Sequence, residues 1–525
     1  MNPYQRRIFL QHAAWAAAAT ALPRWAWSNP PALQSNPFAL GVASGDPAHD
    51  GVVLWTRLVL ADAAQMQAPH TVRWEVAHDA RFAQIVHKGQ ATASPGLGHS
   101  VHVEVAGLAP DRWYHYRFML GDAVSATGRT RTAPAADVLT PKVRVAFASC
   151  QRWEHGHYAA WRHLVADEPD LVLFLGDYIY EYATPRNTDG LARTHSLRHA
   201  STLADYRDRY ALHKSDPHLQ AAHAACPWAM TWDDHEVQND YAADAGRGGD
   251  PAAFGALRSA GWQAFYENMP LRAASLPSAA GGPPWSTLQV YRRLRWGRLA
   301  HIHLLDARQY RSWQACRQPD TSGAGAVRPA DCPTLADPAR TLLGTAQERW
   351  LDAGLAADAR TTDATRWSVI AQQTLFSARD YPSGLVPTDS WDGYPAARAR
   401  LLQSVTTHAP RNTVLLGGDI HQNYVCRVQA EPLRTGSPVL ASEFCGTSIS
   451  SRAGTTQDKV DAIARHNPHV LLARPDQRGY GLADITLARW TTTLRVVDDP
   501  LRADSGAATQ ARFVVEDGSP GPQRI

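Results

Sequence analysis

The sequence predicts an α/β (α+β) domain built on central mixed sheets and preceded by a small all-β sandwich. Three observations lead there. Between Phe38 and Thr132 apolar and polar residues alternate in short runs divided by turn residues. After a proline-containing break, strand-like and helix-like periods take turns, and several of the later apolar runs stop abruptly at an acid.

In the first region, placed at 35–135, "GVVLWTRL", "TVRWEVAHD", "HVEVAGLAP" and "WYHYRFML" each read as an antiparallel strand of a sandwich. Its ionisable residues are scattered, so no chemistry is assigned to it. "TRTAPAADVLTP", Thr130 to Pro141, has the composition of a linker. The second domain is placed at 141–510. There "KVRVAFAS" alternates as a strand, "GHYAAWRHLVADE" carries Tyr158, Trp161, Leu164 and Val165 at helical spacing, and "DLVLFLGD" is again a strand. A right-handed crossover makes those two strands parallel and sets Cys150 and Asp177 at their carboxyl ends, where open α/β sheets build sites. "PWAMTWDDHEVQND" runs into Asp233, Asp234, His235, Glu236 and Asn239; "LAHIHLLDARQYRS" into Asp306 and Arg308; "WSVIAQQTLFS" into Gln372 and Gln373; "NTVLLGGDIHQNY" into Asp419 and His421. Turn chemistry accounts for one strand ending in an acid, whereas a shared polar site accounts for several. "GYGLADITLARWTTTLRVVDD" reads as a hairpin closing the domain.

At 525 residues the chain is long enough for two or more domains. A net charge of +3 is too weak to argue for a nucleic-acid or membrane-surface partner. The N-terminus, "MNPYQRRIFLQHAAWAAAATALPRWAWS", places Arg6 and Arg7 before a short Ala-rich apolar stretch. It reads as a twin-arginine-type export signal spanning 1–28, cut after Ser28 and handled by the Tat export machinery. No later stretch is long and apolar enough to span a bilayer. The mature protein is therefore expected to be periplasmic or secreted, without a stable membrane span and monomeric. Export exposes six cysteines to an oxidising compartment. Cys316 and Cys332 bracket the Gly/Pro-containing "RQPDTSGAGAVRPAD" and are expected to be bridged; Cys226, Cys426 and Cys445 read as small buried hydrophobes.

A thiol, several carboxylates, an amide, a phenol and imidazoles together suit metal ions better than a simple acid/base pair. Thiolate and phenolate favour a trivalent or soft transition ion, while carboxylate and amide oxygens favour calcium, manganese or magnesium. Two unlike ions sharing Asp177, acting on a phosphoester, is the resulting hypothesis. Tyr180, three residues past Asp177, is the phenol whose side chain a turn brings back to it; Tyr178, one residue on, points away.

The ordered run "FASCQ", "GDYIYE", "TWDDHEVQND", "LDARQYRS", "DSWDGYP", "LLGGDIHQNY" and "EFCGTSISS" resembles the alkaline phosphatase D (PhoD) family over nearly the whole mature chain. That resemblance implies an exported metallophosphoesterase with a calcineurin-like catalytic domain, a tyrosinate-bound Fe3+ and a Ca2+ partner. Position by position, it implies Cys150 as a thiolate on iron, Asp177 as the bridge and Tyr180 on iron. Asp234 or Asn239, with Asp419, would bind the hard ion, and His421 would face iron. Gln372 stands where the wider superfamily often has a His ligand. His235 is assigned general acid or transition-state hydrogen bonding, and Arg308 a phosphate oxygen. Asp392 reads as a turn residue. The substrate is then a phosphomonoester or phosphodiester. The alternatives are a phospholipase D-like or polymer-directed diesterase on the same site, with specificity set by loops such as 240–286, and a catalytically silent binding protein.

Overall fold

The computed structural model describes residues 36–276, 285, 287–318, 325–360 and 364–525. The expected leader, with Arg6, Arg7 and the cut after Ser28, lies outside the described residues.

The first elements are β1 (Val42–Ala48), β2 (Gly51–Arg57), α1 (Ala63–Gln67), β3 (His70–Ala77), β4 (Ile85–Ala93), β5 (Ser100–Ala106), β6 (Trp113–Leu120), β7 (Ala123–Val124) and β8 (Gly128–Arg131). β8 takes in Thr130 and Arg131, so the linker expected from Thr130 starts only after it. Strands β1, β2 and β5 pair antiparallel in one sheet, and β3, β4, β6, β7 and β8 form another. In β5 the period of two is explicit: Val101, Val103 and Val105 are buried while Glu104 and Ala106 are exposed. Those valines meet Val72, Val76, Tyr116 and Phe118 of the facing sheet.

The first of these sheets does not stop at the module boundary. β1 runs parallel to a strand of the second half, with Gly45 opposite Trp228. A Cβ at Gly45 would lie 2.5 Å from the Pro270 carbonyl oxygen and 2.8 Å from that of Trp228, so only glycine admits this approach.

The chain continues through β9 (Lys142–Ala148), α2 (Ala159–Ala166), β10 (Leu171–Leu175), α3 (Leu203–Lys214), α4 (Pro217–Ala225), β11 (Trp228–Thr231), α5 (Pro251–Asn268), β12 (Arg292–Trp296), β13 (Ala300–Leu304) and β14 (Ala326–Val327). Then come α6 (Gly344–Asp358), β15 (Trp367–Ala371), β16 (Val386–Pro387), α7 (Pro395–His408), β17 (Thr413–Gly417), β18 (Asn423–Gln429), β19 (Val439–Cys445), α8 (Gln457–His466) and β20 (Val470–Arg474). The last strands are β21 (Gly479–Thr486), β22 (Arg489–Val497), β23 (Ala507–Glu516) and β24 (Ser519–Arg524).

Two large mixed sheets result. One has the order β24-β23-β22-β21-β9-β10-β11-β1-β2-β5, with β9, β10 and β11 mutually parallel; the other has β12-β13-β15-β17-β19-β18-β20, with β13, β15, β17 and β19 parallel. They face each other across a core in which Phe147, Leu171, Leu173 and Ala229 meet Ile302, Leu304, Val369 and Leu416. The intervening residues point outwards. Val172 and Phe174 pack with Trp161, Leu219 and Phe265 of α2, α4 and α5, while Ile370 and Leu415 pack with Leu351 and Leu402 of α6 and α7. Both faces of the parallel strands are thus covered, which is why β10 reads as an unbroken apolar run. Each fully buried Leu or Phe contributes about 1.5–3 kcal/mol, and Phe174→Ala would cost about 3–5 kcal/mol.

The terminal hairpin forms as expected, β21 with β22, and β21 docks antiparallel on β9. Residue 510, the expected end of the domain, falls inside β23, whose Phe513 and Val515 enter the inter-sheet core. Cys316 and Cys332 are disulfide-bonded at a Cα separation of 5.9 Å, and Cys150, Cys226, Cys426 and Cys445 are buried free thiols. No helix among the described residues is long and apolar enough to cross a membrane.

Candidate active site

The carboxyl ends of the parallel strands of both sheets open on one edge. The Thr231 hydroxyl at the end of β11 donates to the Leu305 carbonyl (2.9 Å), and Gln373 Nε2 donates to the carbonyls of Trp232 (2.8 Å) and Leu305 (3.0 Å), which ties the two sheets together there. The loops leaving β9 and β10 are also bonded to each other, through Cys150 N to Gly176 O and Gln151 N to Asp177 O, both 3.0 Å.

Four of the residues singled out from sequence have left-handed backbones: Cys150 (φ +60°), Asp177 (+58°), Asp419 (+63°) and His421 (+55°). For side chains with a Cβ this conformation is strained, and its concentration at one edge marks a functional site. Glu236, fully buried, stabilises the turn by accepting from the backbone N–H groups of Asp177 (3.1 Å), Tyr178 (2.5 Å) and Asp233 (2.9 Å). Gly176 has φ +108°, and a Cβ on it would sit 2.5 Å from Asp233 Cβ, so the β10 and β11 loops approach this closely only over glycine.

Two overlapping groups of ligand atoms lie at this edge. Cys150, Asp177 and His421 each offer one atom within 4.8 Å of the others, and so do Asp177, Asp234 and His235. Asp177 belongs to both. Tyr180 joins the first group: its hydroxyl donates to Asp177 Oδ2 (2.9 Å) and lies 3.1 Å from His421 Nε2 and 2.8 Å from Ser451 Oγ. Tyr178 turns away to His223 Nε2 at 2.8 Å. His421 Nδ1 faces the Arg452 carbonyl at 2.7 Å; since a carbonyl only accepts, that nitrogen carries the proton and Nε2 offers its lone pair to the cluster. Burial pushes the His421 pKa down to about 3, so the ring stays neutral.

The charges do not balance without a cation. Burial, with Asp177 beside it, pushes the Cys150 thiol well up; burial, Asp177 and Cys150 do the same to Tyr180. Asp177 is itself raised by burial and by the carboxylates of Asp234, Glu236 and Asp419, and Asp419 is pushed up to about 6 by burial with Asp234 and Asp389 nearby. Asp177 Oδ1, Asp233 Oδ2 and Asp234 Oδ1 are buried without a hydrogen-bond partner. A positive ion reverses the pKa shifts and satisfies the orphaned oxygens, so a soft S/O/N set next to a carboxylate-rich one fits a pair of metal ions.

Asp234 Oδ2 accepts from Asp240 N (2.6 Å), and burial, which opposes its ionisation, is outweighed by the charges of Arg308 and His235. Asn239 stands on the same loop, half-buried, with its backbone N–H donating to Glu181 Oε1 (2.9 Å) and its Nδ2 to Asp240. His235 Nδ1 donates to Glu181 Oε2 at 2.7 Å. Although burial opposes it, Glu181, Asp177 and Asp234 hold the imidazole protonated well above its usual range.

Arg308 is placed differently from its sequence expectation. It is 1 % exposed, and its fork is taken up by Asp233, through Nε, and by Asp389, at 2.7 and 2.9 Å, with Asp234 3.7 Å away. Asp306 caps the turn beneath it by accepting from the backbone N–H groups of Arg308 and Gln309. Gln372 turns inwards: its Oε1 accepts from Thr374 N (3.0 Å) and Trp391 Nε1 (3.1 Å), and its Nε2 donates to the Thr374 carbonyl. Asp392 lies in the expected turn, but its carboxylate also pairs with Arg398 (2.6 Å) and accepts from Tyr381 (2.8 Å).

Sequence reasoning named Glu236 at the end of its strand without giving it a role and passed over Glu181, Asp389 and Ser451; all four hold site residues in place. Glu181 ends "GDYIYE", Asp389 opens "DSWDGYP" and Ser451 ends "EFCGTSISS", so position in a motif was the one available signal for these three.

A family model described as PhoD-like phosphatase matches residues 145–494, and one described as PhoD-like phosphatase, N-terminal domain, matches residues 24–134. Alkaline phosphatase D of Bacillus subtilis (strain 168) is 41% identical over 545 residues, an alignment covering 100% of this chain and 90% of that protein. A solved structure titled "Structure of PhoD" superposes with a TM-score of 0.86 at 40% identity, covering 94% of this chain and 93% of the other.

Proposed function

The chain belongs to the PhoD-like phosphatase family and is a phosphoric ester hydrolase, and from that premise we propose how its site works. Cys150, Tyr180 and His421 would hold one ion, taken as Fe3+ from the soft and phenolic donors; Asp234, Asn239 and Asp419 would hold a harder one, taken as Ca2+ with Mn2+ or Mg2+ as substitutes; Asp177 would be a ligand shared by both. The observation that carries this reading is the membership of Asp177 in both ligand groups while its Oδ1 is buried and unpartnered.

When bound, such a pair of ions supplies positive charge for phosphoryl oxygens and acidifies water. The chain's own residues do the rest. Ser451 fixes the Tyr180 hydroxyl and the Arg452 carbonyl fixes the His421 ring, so both present their donor atoms without rearrangement. His235, with Nδ1 held by Glu181, keeps the Nε2 proton for the departing ester oxygen. Arg308 acts as a positioning residue, keeping Asp233 and Asp389 in place beneath the site, and is not proposed to touch substrate. Gln372 is proposed as a structural residue of the Thr374 turn.

The substrates are phosphomonoesters or phosphodiesters, with a lipid or polymeric diester as the second reading. We place the catalytic domain in the calcineurin-like class, preceded by a sandwich module that shares its sheet. Export through the twin-arginine route to the periplasm or medium is supported by the sequence of the first 28 residues and by the Cys316–Cys332 bridge. The test is hydrolysis of one phosphomonoester and one phosphodiester by the mature protein before and after chelation. Activity on either ester, lost on chelation and restored by iron with calcium, is expected; activity indifferent to chelation sinks the metal assignment.

A further inference from the structure

With Arg308 sealed beneath the site, the phosphate contact expected of it falls to another guanidinium. Arg152 stands two residues past Cys150, on the loop between β9 and α2. Its Cζ lies 5.7 Å from the ring centre of Tyr180 and 5.1 Å from that of Tyr182. The His235 ring packs against the same two phenols, at 4.1 and 5.3 Å between ring centres. Arg152 and His235 therefore share the two rings that flank the Tyr180 hydroxyl, which itself reaches Asp177 and His421.

The loop fixes Arg152 at both ends. Its backbone N–H donates to Ser451 Oγ (3.0 Å), the hydroxyl that also lies 2.8 Å from that of Tyr180, and its carbonyl accepts from Ser450 Oγ (2.7 Å). The buried carboxylate of Glu154 faces Nε at 3.4 Å and is divided, since its other oxygen lies 3.3 Å from His195 Nε2. The two Nη groups of Arg152 donate to no described residue, and its side chain is 18 % exposed, so a ligand can reach it. Two more cations stand nearby. Arg478 Nη1 donates to the carbonyls of His421 (2.8 Å) and Ser451 (2.7 Å) and to Ser448 Oγ (2.8 Å), and Arg452 donates to the Gly190 carbonyl. Neither meets a carboxylate within ion-pair distance among the described residues. His155, bonded to Arg452 N at 3.1 Å, feels all three: burial and the charges of Arg152, Arg452 and Arg478 push its pKa down to about 3.

Two terminal oxygens of a phosphoryl group are common to both ester classes. The third is charged in a monoester and carries the second ester group in a diester. A guanidinium with free Nη donors gains a charge-assisted hydrogen bond from that oxygen only in the monoester, and the cations behind it favour the extra negative charge. We propose that Arg152 binds this third phosphoryl oxygen and makes the site prefer phosphomonoesters to phosphodiesters. The assignment rests on the phosphoesterase site proposed above, with Glu154 as the residue that positions Arg152.

The probes are nitrophenyl phosphate and methyl nitrophenyl phosphate, which share a leaving group and differ by one methyl on the third oxygen. With the metal-loaded full chain, at a pH where the monoester is a dianion, Arg152→Met should lower kcat/KM for the monoester about tenfold or more, the worth of one charge-assisted contact. The loss on the diester should be much smaller, and Arg152→Lys, which keeps the charge without the fork, should fall between. Equal losses on the two esters, or none on either, overturn the proposal. Calorimetric titration with inorganic phosphate and with dimethyl phosphate reads the same contact without turnover. Phosphate should bind Arg152→Met about tenfold more weakly than the wild type, with dimethyl phosphate little changed; an unchanged phosphate affinity overturns the proposal. A wild type that hydrolyses neither ester removes the catalytic reading instead, and the Arg152 contact then stands or falls on phosphate affinity alone.

Discussion

Replacing Arg308 separates a residue that binds substrate from one that holds the site together. Arg308 is fully buried among Asp233, Asp234 and Asp389, and Arg308→Met leaves those acids without it. Breaking a buried pair by removing one partner costs about 3–5 kcal/mol. Asp389 retains Arg311 at 2.7 Å, whereas Asp233 loses its only cation among the described residues, so the lower end of that range applies. With unfolding entropy near roughly 2.1 cal/mol/K per residue, a 525-residue chain loses about 1 °C of Tm per kcal/mol, and Arg308→Met should melt about 3 °C lower. Arg308→Lys supplies one ammonium for two carboxylates and should fall between. Scanning calorimetry reads the Tm, and steady-state kinetics on a phosphomonoester reads kcat and KM. The positioning account expects a lowered Tm and a lowered kcat. An unchanged Tm together with a KM raised tenfold would refute it and return Arg308 to direct phosphate binding.

His235→Ala should lower kcat by about 10²–10⁴-fold for alkyl phosphates and far less for nitrophenyl phosphate, whose leaving oxygen needs no proton; equal losses on both esters would count against a general acid. Glu181→Gln removes the charge that holds the His235 proton, so its pKa falls, and the alkaline limb of kcat for alkyl esters should move to lower pH than in the wild type. An unmoved limb would detach Glu181 from the proton transfer. Removing the Cys316–Cys332 bridge in a Cys316→Ala, Cys332→Ala variant should cost about 3 kcal/mol by loop-closure entropy and leave ester hydrolysis intact, which thermal melts beside an activity assay would check.

Cys150 and Asp177 were legible because a strand, a helix and a second strand in sequence force both to the same end of adjacent parallel strands. Asp234, Asp419 and His421 followed from the same rule applied strand by strand. The partition of those strands between two facing sheets was not legible. β10 and β15 are both buried along their whole length, and nothing in "LVLFL" or "WSVIA" says which of its faces meets another sheet and which meets a helix. The continuity of β1 with β11 rests on the missing Cβ of Gly45, a contact over 183 residues of sequence that no local pattern records. Arg308 was assigned to phosphate because its type suits that role; its burial between Asp233 and Asp389 depends on loops 75 and 81 residues away. Gln372 stood out as a departure in a ligand series, and its turn-making role appears only once Thr374 and Trp391 close around it.

The central claim is that Asp177 joins two unlike ions, one of them on Cys150 and Tyr180. The most direct measurement is the metal content of the purified mature protein and of its Cys150→Ala variant, with the visible spectrum of each. The account predicts one iron and one calcium per chain in the wild type, with a tyrosinate-to-iron absorption band, and loss of iron, band and activity together in a variant that remains folded. A variant keeping iron and full activity would contradict it, as would a wild type that stays colourless and metal-free after reconstitution with both ions.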